Sequence, residues 1–158
     1  MKKWKIGFLS SLTGVIGGIL VTKAIENKKI GEKQKKIDKL HSYYSMLIQW
    51  MQLNYQGKSM EEYFKQNEIR TIAIYGMGEV GNCLYEELKN TSIEVKYAID
   101  KNEMNTYSPI QVYGIEDGLP DVDAIIITAV FAFDEIMEKL NMVTDMNIIS
   151  LEDVIFEI

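Results

Sequence analysis

Thr71-Ile-Ala-Ile-Tyr75 runs directly into Gly76-Met-Gly78-Glu-Val-Gly81, a stretch rich in β-branched residues followed by three glycines spaced G-x-G-x-x-G. The first part reads as a strand and the second as the tight turn that opens a helix. In such a turn Gly76 permits the sharp change of direction, Gly78 lets the backbone approach a pyrophosphate, and Gly81 lets the helix pack closely on the sheet. The helix N-terminus supplies free N–H groups and the positive end of a dipole, so an anion is held without a basic side chain. Cys83, Leu84 and Leu88 supply the apolar face of the following helix, and a second strand ends in Asp100, 24 residues after Gly76. An acidic residue about 20 positions on is where this fingerprint meets a ribose hydroxyl.

Outward from this turn the chain alternates. Strands are expected at Thr71–Tyr75, Ile93–Ile99, Ile110–Tyr113, Ala124–Ala129 and Asn147–Ser150, with helices at Asn82–Leu88 and Asp134–Leu140 and a last acidic helical turn after Leu151. Strand–helix alternation with apolar β-branched cores implies a parallel sheet covered on both faces, and right-handed crossovers favour the order 3-2-1-4-5. The fold class expected is therefore α/β, a five-stranded parallel sheet, and the strand order reverses between the first and fourth strands. Ligands of open α/β sheets bind beyond the strand C-terminal ends at that reversal. This sets Gly76, Met77, Gly78, Glu79 and Val80 opposite Thr128, Ala129, Val130 and Phe131. Asp100 is the candidate ribose acceptor. Lys101 beside it is a candidate phosphate contact or a solvated charge, and Phe131 and Phe133 are candidates to stack on a ring or to pack in the core.

Three blocks divide the 158 residues: 1–27, 28–67 and 68–158. Ile6 to Val21 carries no charge, and Trp4 to Ile25 spans 22 residues with lysines at both ends. That length matches the roughly 20 residues that cross a bilayer. A membrane-inserted helix is the reading taken; a cleaved signal peptide ending near Thr22-Lys23-Ala24, or a surface-lying or buried helix, are the other uses of such a stretch. The denser lysines after it favour a cytoplasmic body, which makes the expected location a single-pass cell-membrane protein. Gly14 and Gly18 have the spacing of a close helix–helix contact.

From Lys28 to Gln56 the pattern is helical, and Ile30, Ile37, Leu40, Tyr44, Leu47 and Met51 fall on a and d heptad positions, with Lys33 the break. This predicts a stalk and a homodimer. Tyr43, Met46, Trp50 and Leu53 form a second apolar face expected to pack on the body, Gly57 suits the helix end, and Ser59 with Glu62 reads as a capping box.

Charge separates the two ends of the chain. Residues 1–40 carry ten lysines against three acids, a net of +7, so the overall −6 leaves −13 for the remainder. The acidic remainder argues against nucleic acid as a partner. A single His41 and a single Cys83 provide neither a conventional zinc site nor an internal disulfide, so no metal is expected.

Ile72-Ala-Ile-Tyr-Gly-Met-Gly-Glu-Val-Gly81, Tyr97-Ala-Ile-Asp-Lys-Asn102 and Asp123-Ala-Ile-Ile-Ile-Thr-Ala129 resemble the Rossmann-like NAD(P)- or nucleotide-binding domains found beside glycosyltransferases in bacterial surface-polysaccharide clusters. They are also similar to the N-terminal domain of bacterial sugar O-acetyltransferases, which holds a nucleotide-sugar. The resemblance covers residues 69–151. It implies Gly76, Gly78 and Gly81 as the phosphate loop, Asp100 as the ribose contact, NAD, NADP or a nucleotide-sugar as the ligand, and a glycosyltransferase as a partner. The 158 residues hold neither the left-handed β-helix of those acyltransferases nor a second mononucleotide-binding half. Three functions follow as expectations: a membrane-tethered nucleotide-binding module accessory to polysaccharide assembly, a small NAD(P)-dependent oxidoreductase or epimerase, or a ligand-free scaffold. No acid–base constellation stands out to carry the second.

Overall fold

The structure is a computed structural model that describes the backbone of residues 2–101 and 108–158, and the side chains of residues 27–101 and 108–158. The side chains of the expected membrane span, Trp4 to Ile25 with Gly14 and Gly18, lie outside the described residues, as does Asn102. Among the described residues no helix is long and apolar enough to cross a membrane. The chain divides into two compact units, Met1–His41 and Ser42–Ile158. In the first, the described residues 27–41 are helical and exposed, Gln34 bonding Asp38 one turn on at 2.8 Å.

The second unit is built on five parallel strands: β1 (Thr71–Tyr75), β2 (Glu94–Ile99), β3 (Val112–Tyr113), β4 (Ala124–Ile127) and β5 (Asn147–Ser150). They lie in the order β3-β2-β1-β4-β5, as the strand–helix alternation predicts. Tyr75 is in register with Ile99 on one side and Ile127 on the other, so three strand ends meet at one level. β4 is buried along its whole length, which its unbroken Ala-Ile-Ile-Ile run requires of a central strand.

Two cores fill the two faces of this sheet. On one face Ile72, Ile74, Ala98, Ala124 and Ile126 pack with Leu84 and Leu88 of α3 (Glu79–Leu88), Phe64 of α2 (Met60–Gln66), and Leu151, Val154 and Ile155 of α5 (Leu151–Glu157). Met46, Trp50 and Leu53, from the C-terminal part of α1 (Lys2–Tyr55), join the same core. On the other face Tyr75, Tyr97, Ile99, Ile125 and Ile127 pack with Ile136 and Leu140 of α4 (Phe133–Leu140). Residues 42–67, placed with the stalk and linker by sequence pattern, thus belong to the compact body.

Polar contacts pin the segments that periodicity alone leaves loose. Glu87 of α3 accepts from the Trp50 indole at 2.5 Å and from the Met60 amide at 3.2 Å, tying α1 and α2 to α3. Gly57 takes φ +72 after α1, and the Lys58 and Gly57 amides return to Leu53 and Asn54, the 6→1 and 5→2 bonds of a Schellman turn. The capping box does not form: Ser59 is the N-cap of α2, but its side chain accepts no bond from the helix. The neighbouring Glu61 turns to the loop before β2, accepting from the Ser92 amide and hydroxyl at 2.8 and 2.6 Å.

Candidate functional site

β1 ends at Tyr75, and Gly76 follows at φ +94, a conformation L side chains rarely adopt. A Cβ there would also meet the Thr128 hydroxyl at 2.9 Å. That hydroxyl lies within hydrogen-bond reach of the carbonyls of Gly76 at 2.7 Å and Tyr75 at 3.1 Å, and so clips the turn to the end of β4. Gly81, in the first turn of α3, is buried, and a Cβ there would stand 2.2 Å from the Gly76 carbonyl oxygen. Gly76 and Gly81 are therefore demanded by the chain itself, one by its dihedral and one by the approach of helix to turn.

Gly78 is different. It caps α3 at φ −73 and ψ −162, an extended conformation open to any residue, and a Cβ added to it meets nothing within 4 Å. The residue after each flank is also fixed from outside the turn. Asn82 donates to the Met77 carbonyl at 3.0 Å and the Gly78 carbonyl at 2.9 Å, while the Met77 amide donates to Asp100 at 3.1 Å. Asp100 stands at the C-terminal end of β2, where the strand pattern puts it, and its carboxylate braces the turn.

The other candidates separate by exposure. Glu79 is exposed in the first turn of α3, where its charge favours the positive helix end. Val80 is half-buried against the core, and the Met77 side chain is buried in it, so Met77 can face a ligand only through its backbone. Ala129 is half-buried at the end of β4 and Phe133 packs into the second core. Lys101 is exposed; the hydrogen bond and charge of Lys139, and to a lesser degree the charge of Lys101, hold the Glu135 carboxyl of α4 below its ordinary range.

Phe131 is 47% exposed in a short 3-10 turn, Val130–Ala132, and its ring lies 5.7 Å from that of Tyr43 at an interplanar angle of 59°. The Tyr43 hydroxyl donates to the Thr128 carbonyl at 3.4 Å, and burial pushes its phenol above the ordinary value, so it remains a donor at neutral pH. Helix α1 thus delivers an aromatic side chain to the point where the strand order reverses. Sequence reasoning placed Tyr43 on a core-facing stripe and did not connect it to this site. Asn82 was likewise missed, although a side-chain amide one residue after a G-x-G-x-x-G turn is within reach of the turn's carbonyls.

The turn, the start of α3, Asp100 and the Tyr43–Phe131 pair are linked by these contacts beyond the C-terminal ends of β1, β2 and β4. Among the described residues no cluster of His, Cys, Asp and Glu is arranged to hold a metal ion. No protein-family model, curated protein or solved structure matches this chain.

Proposed function

We propose that this chain is a membrane-tethered nucleotide-binding module that takes NAD(P) or a nucleotide-sugar on the Gly76–Gly81 turn and presents it to a polysaccharide-assembly enzyme such as a glycosyltransferase. The observation that carries the reading is Gly78. Two of the three glycines are required by dihedral or close approach; the middle one has only its place as N-cap of α3, which Ser, Thr, Asn or Asp fills as well. A pyrophosphate passing over the turn supplies a reason for glycine, because a side chain at 78 would occupy its place. The residues that would hold it are the backbone of Gly78, Glu79 and Val80 at the start of α3, with Asp100 for a ribose hydroxyl. Such a ligand contributes the charge that the helix end is disposed to receive. The polysaccharide-assembly partner rests on the resemblance of the three quoted motifs, and the membrane tether on the uncharged, lysine-flanked stretch from Trp4 to Ile25.

Two measurements on the full chain test this reading. A thermal-shift panel of NAD, NADP, UDP and UDP-sugars is expected to stabilise the protein with at least one of them, and no shift with any would refute nucleotide binding. Fractionation is expected to leave the chain in carbonate-washed membranes, with the body protected from protease added outside intact cells. Recovery in the carbonate-soluble fraction, or digestion of the body, would refute the tether.

A further inference from the structure

Ser42 to Gly57 contains no charged residue, yet half of the helix it forms faces outward. Tyr44, Leu47, Ile48, Met51 and Tyr55 are 66, 39, 37, 51 and 83% exposed. Their spacing is i, i+3, i+4, i+7, i+11, a single face of an α-helix, and it is not the face that Met46, Trp50 and Leu53 bury. A helix face kept in water is normally rich in charge, and this one has none.

The heptad register identifies what covers it. Tyr44 and Met51 take position a and Leu47 position d, and the same register in the sequence runs back through Leu40 at d and Ile37 and Ile30 at a. In that upstream part, which Lys33 at d interrupts, Ile30 and Ile37 at a with Leu40 at d match the pattern that favours two parallel strands, and Tyr44, Leu47 and Met51 continue its register. Ile48 and Tyr55 take position e. The earlier e positions are Gln34 and His41, so the apolar stripe widens to e only within the body. In a parallel pair e of one helix faces g of the other, and here g is Tyr43 and Trp50, the residues through which α1 meets its own body. A second copy of this chain would account both for the a/d seam and for the place where it broadens, since Ile48 and Tyr55 would then lie against the flank of the other copy's body.

We infer that Tyr44, Leu47, Ile48, Met51 and Tyr55 form a parallel homodimer interface, in which both Tyr43–Phe131 contacts stand at the same end of the seam. Residues 42–158 carry seven Lys and Arg against twenty Asp and Glu. Two such bodies repel, so association should strengthen as salt screens them.

The test is disulfide trapping in the full chain, in mild detergent, after replacing the exposed Cys83 by serine. Tyr44→Cys and Met51→Cys, made singly, are each expected to yield a covalent dimer. Gln52→Cys, at position b on the same exposed helix, is expected to yield at least tenfold less. An antiparallel pair that brought residue 51 to its copy would hold the two residues 44 about 21 Å apart at 1.5 Å rise per residue, so trapping at both sites requires the parallel arrangement. Leu47→Lys should weaken self-association at least tenfold in sedimentation, with an unchanged circular dichroism spectrum. Trapping at only one site, equal trapping at 52, a chain monomeric at every concentration and salt, or a dimer unaffected by Leu47→Lys would each overturn the inference.

Discussion

The three glycines of the turn make a graded prediction, because the structure places a different demand on each position. In Gly81→Ala the new Cβ meets the Gly76 carbonyl oxygen at 2.2 Å, a backbone atom that cannot rotate away. Helix and turn must separate, and overpacking of this kind costs about 1–3 kcal/mol. In Gly76→Ala the φ of +94 and the Thr128 hydroxyl at 2.9 Å combine, a strain of roughly 1–3 kcal/mol. Gly78→Val places its side chain in open space at extended dihedrals. The variant gains from a stiffer unfolded chain and loses a fair N-cap, effects of about 0.5–1 kcal/mol each that oppose one another. Urea denaturation should therefore rank Gly78→Val within about 1 kcal/mol of the parent and the other two clearly below it. Nucleotide binding should rank the other way for Gly78→Val, which folds yet cannot seat the ligand. A Gly78→Val protein as destabilised as Gly81→Ala would show that residue 78 is glycine for the fold, and the argument for a ligand would lose its main support.

Two further outcomes follow from single carboxylates. If the Asp100 carboxylate, which accepts from the Met77 amide, also receives a ribose 2′-hydroxyl, it would repel a 2′-phosphate, so the parent should bind NAD more tightly than NADP and Asp100→Asn should narrow the difference; a parent preferring NADP would assign the pocket to Lys101 instead. Glu61 is lowered to about 2 by its bond with Lys65 and those with the Ser92 hydroxyl and amide. A depressed folded pKa gives stability that is present above the ordinary carboxyl value of 4.5 and is lost as pH falls toward 2. Glu61→Gln should flatten acid unfolding in that window and leave the curve above pH 5 parallel to the parent; an unchanged profile would refute the linkage.

Much of this fold was legible because its signals are local and periodic. Ala124-Ile-Ile-Ile127 can only be a strand buried on both sides, and Asn147–Ser150 appears at its expected bounds. The glycine turn announces both the crossover and the place where a ligand would lie. β3 is shorter than the four residues expected from Ile110, since only Val112 and Tyr113 find partners on β2. The α3 helix begins three residues earlier than expected, at Glu79, because the turn itself supplies the first helical residues. What could not be read were contacts between residues far apart in sequence. Tyr43 meets Thr128 across 85 positions, and no pattern of apolar spacing says which tyrosine of Tyr43-Tyr44 turns inward. Ser59 shows the opposite failure: the local Ser59–Glu62 motif is present, yet the Ser59 side chain accepts no bond from α2 and the expected cap is not made.

The central claim is that Gly78 is glycine for the sake of a bound nucleotide. Isothermal titration of NAD, NADP and UDP-sugars into the full chain, run beside Gly78→Val, tests it most directly. The account predicts saturable one-to-one binding of at least one of these by the parent, and none by a Gly78→Val protein whose unfolding curve matches the parent's. No saturable binding by the parent, or equal binding by the variant, would contradict it.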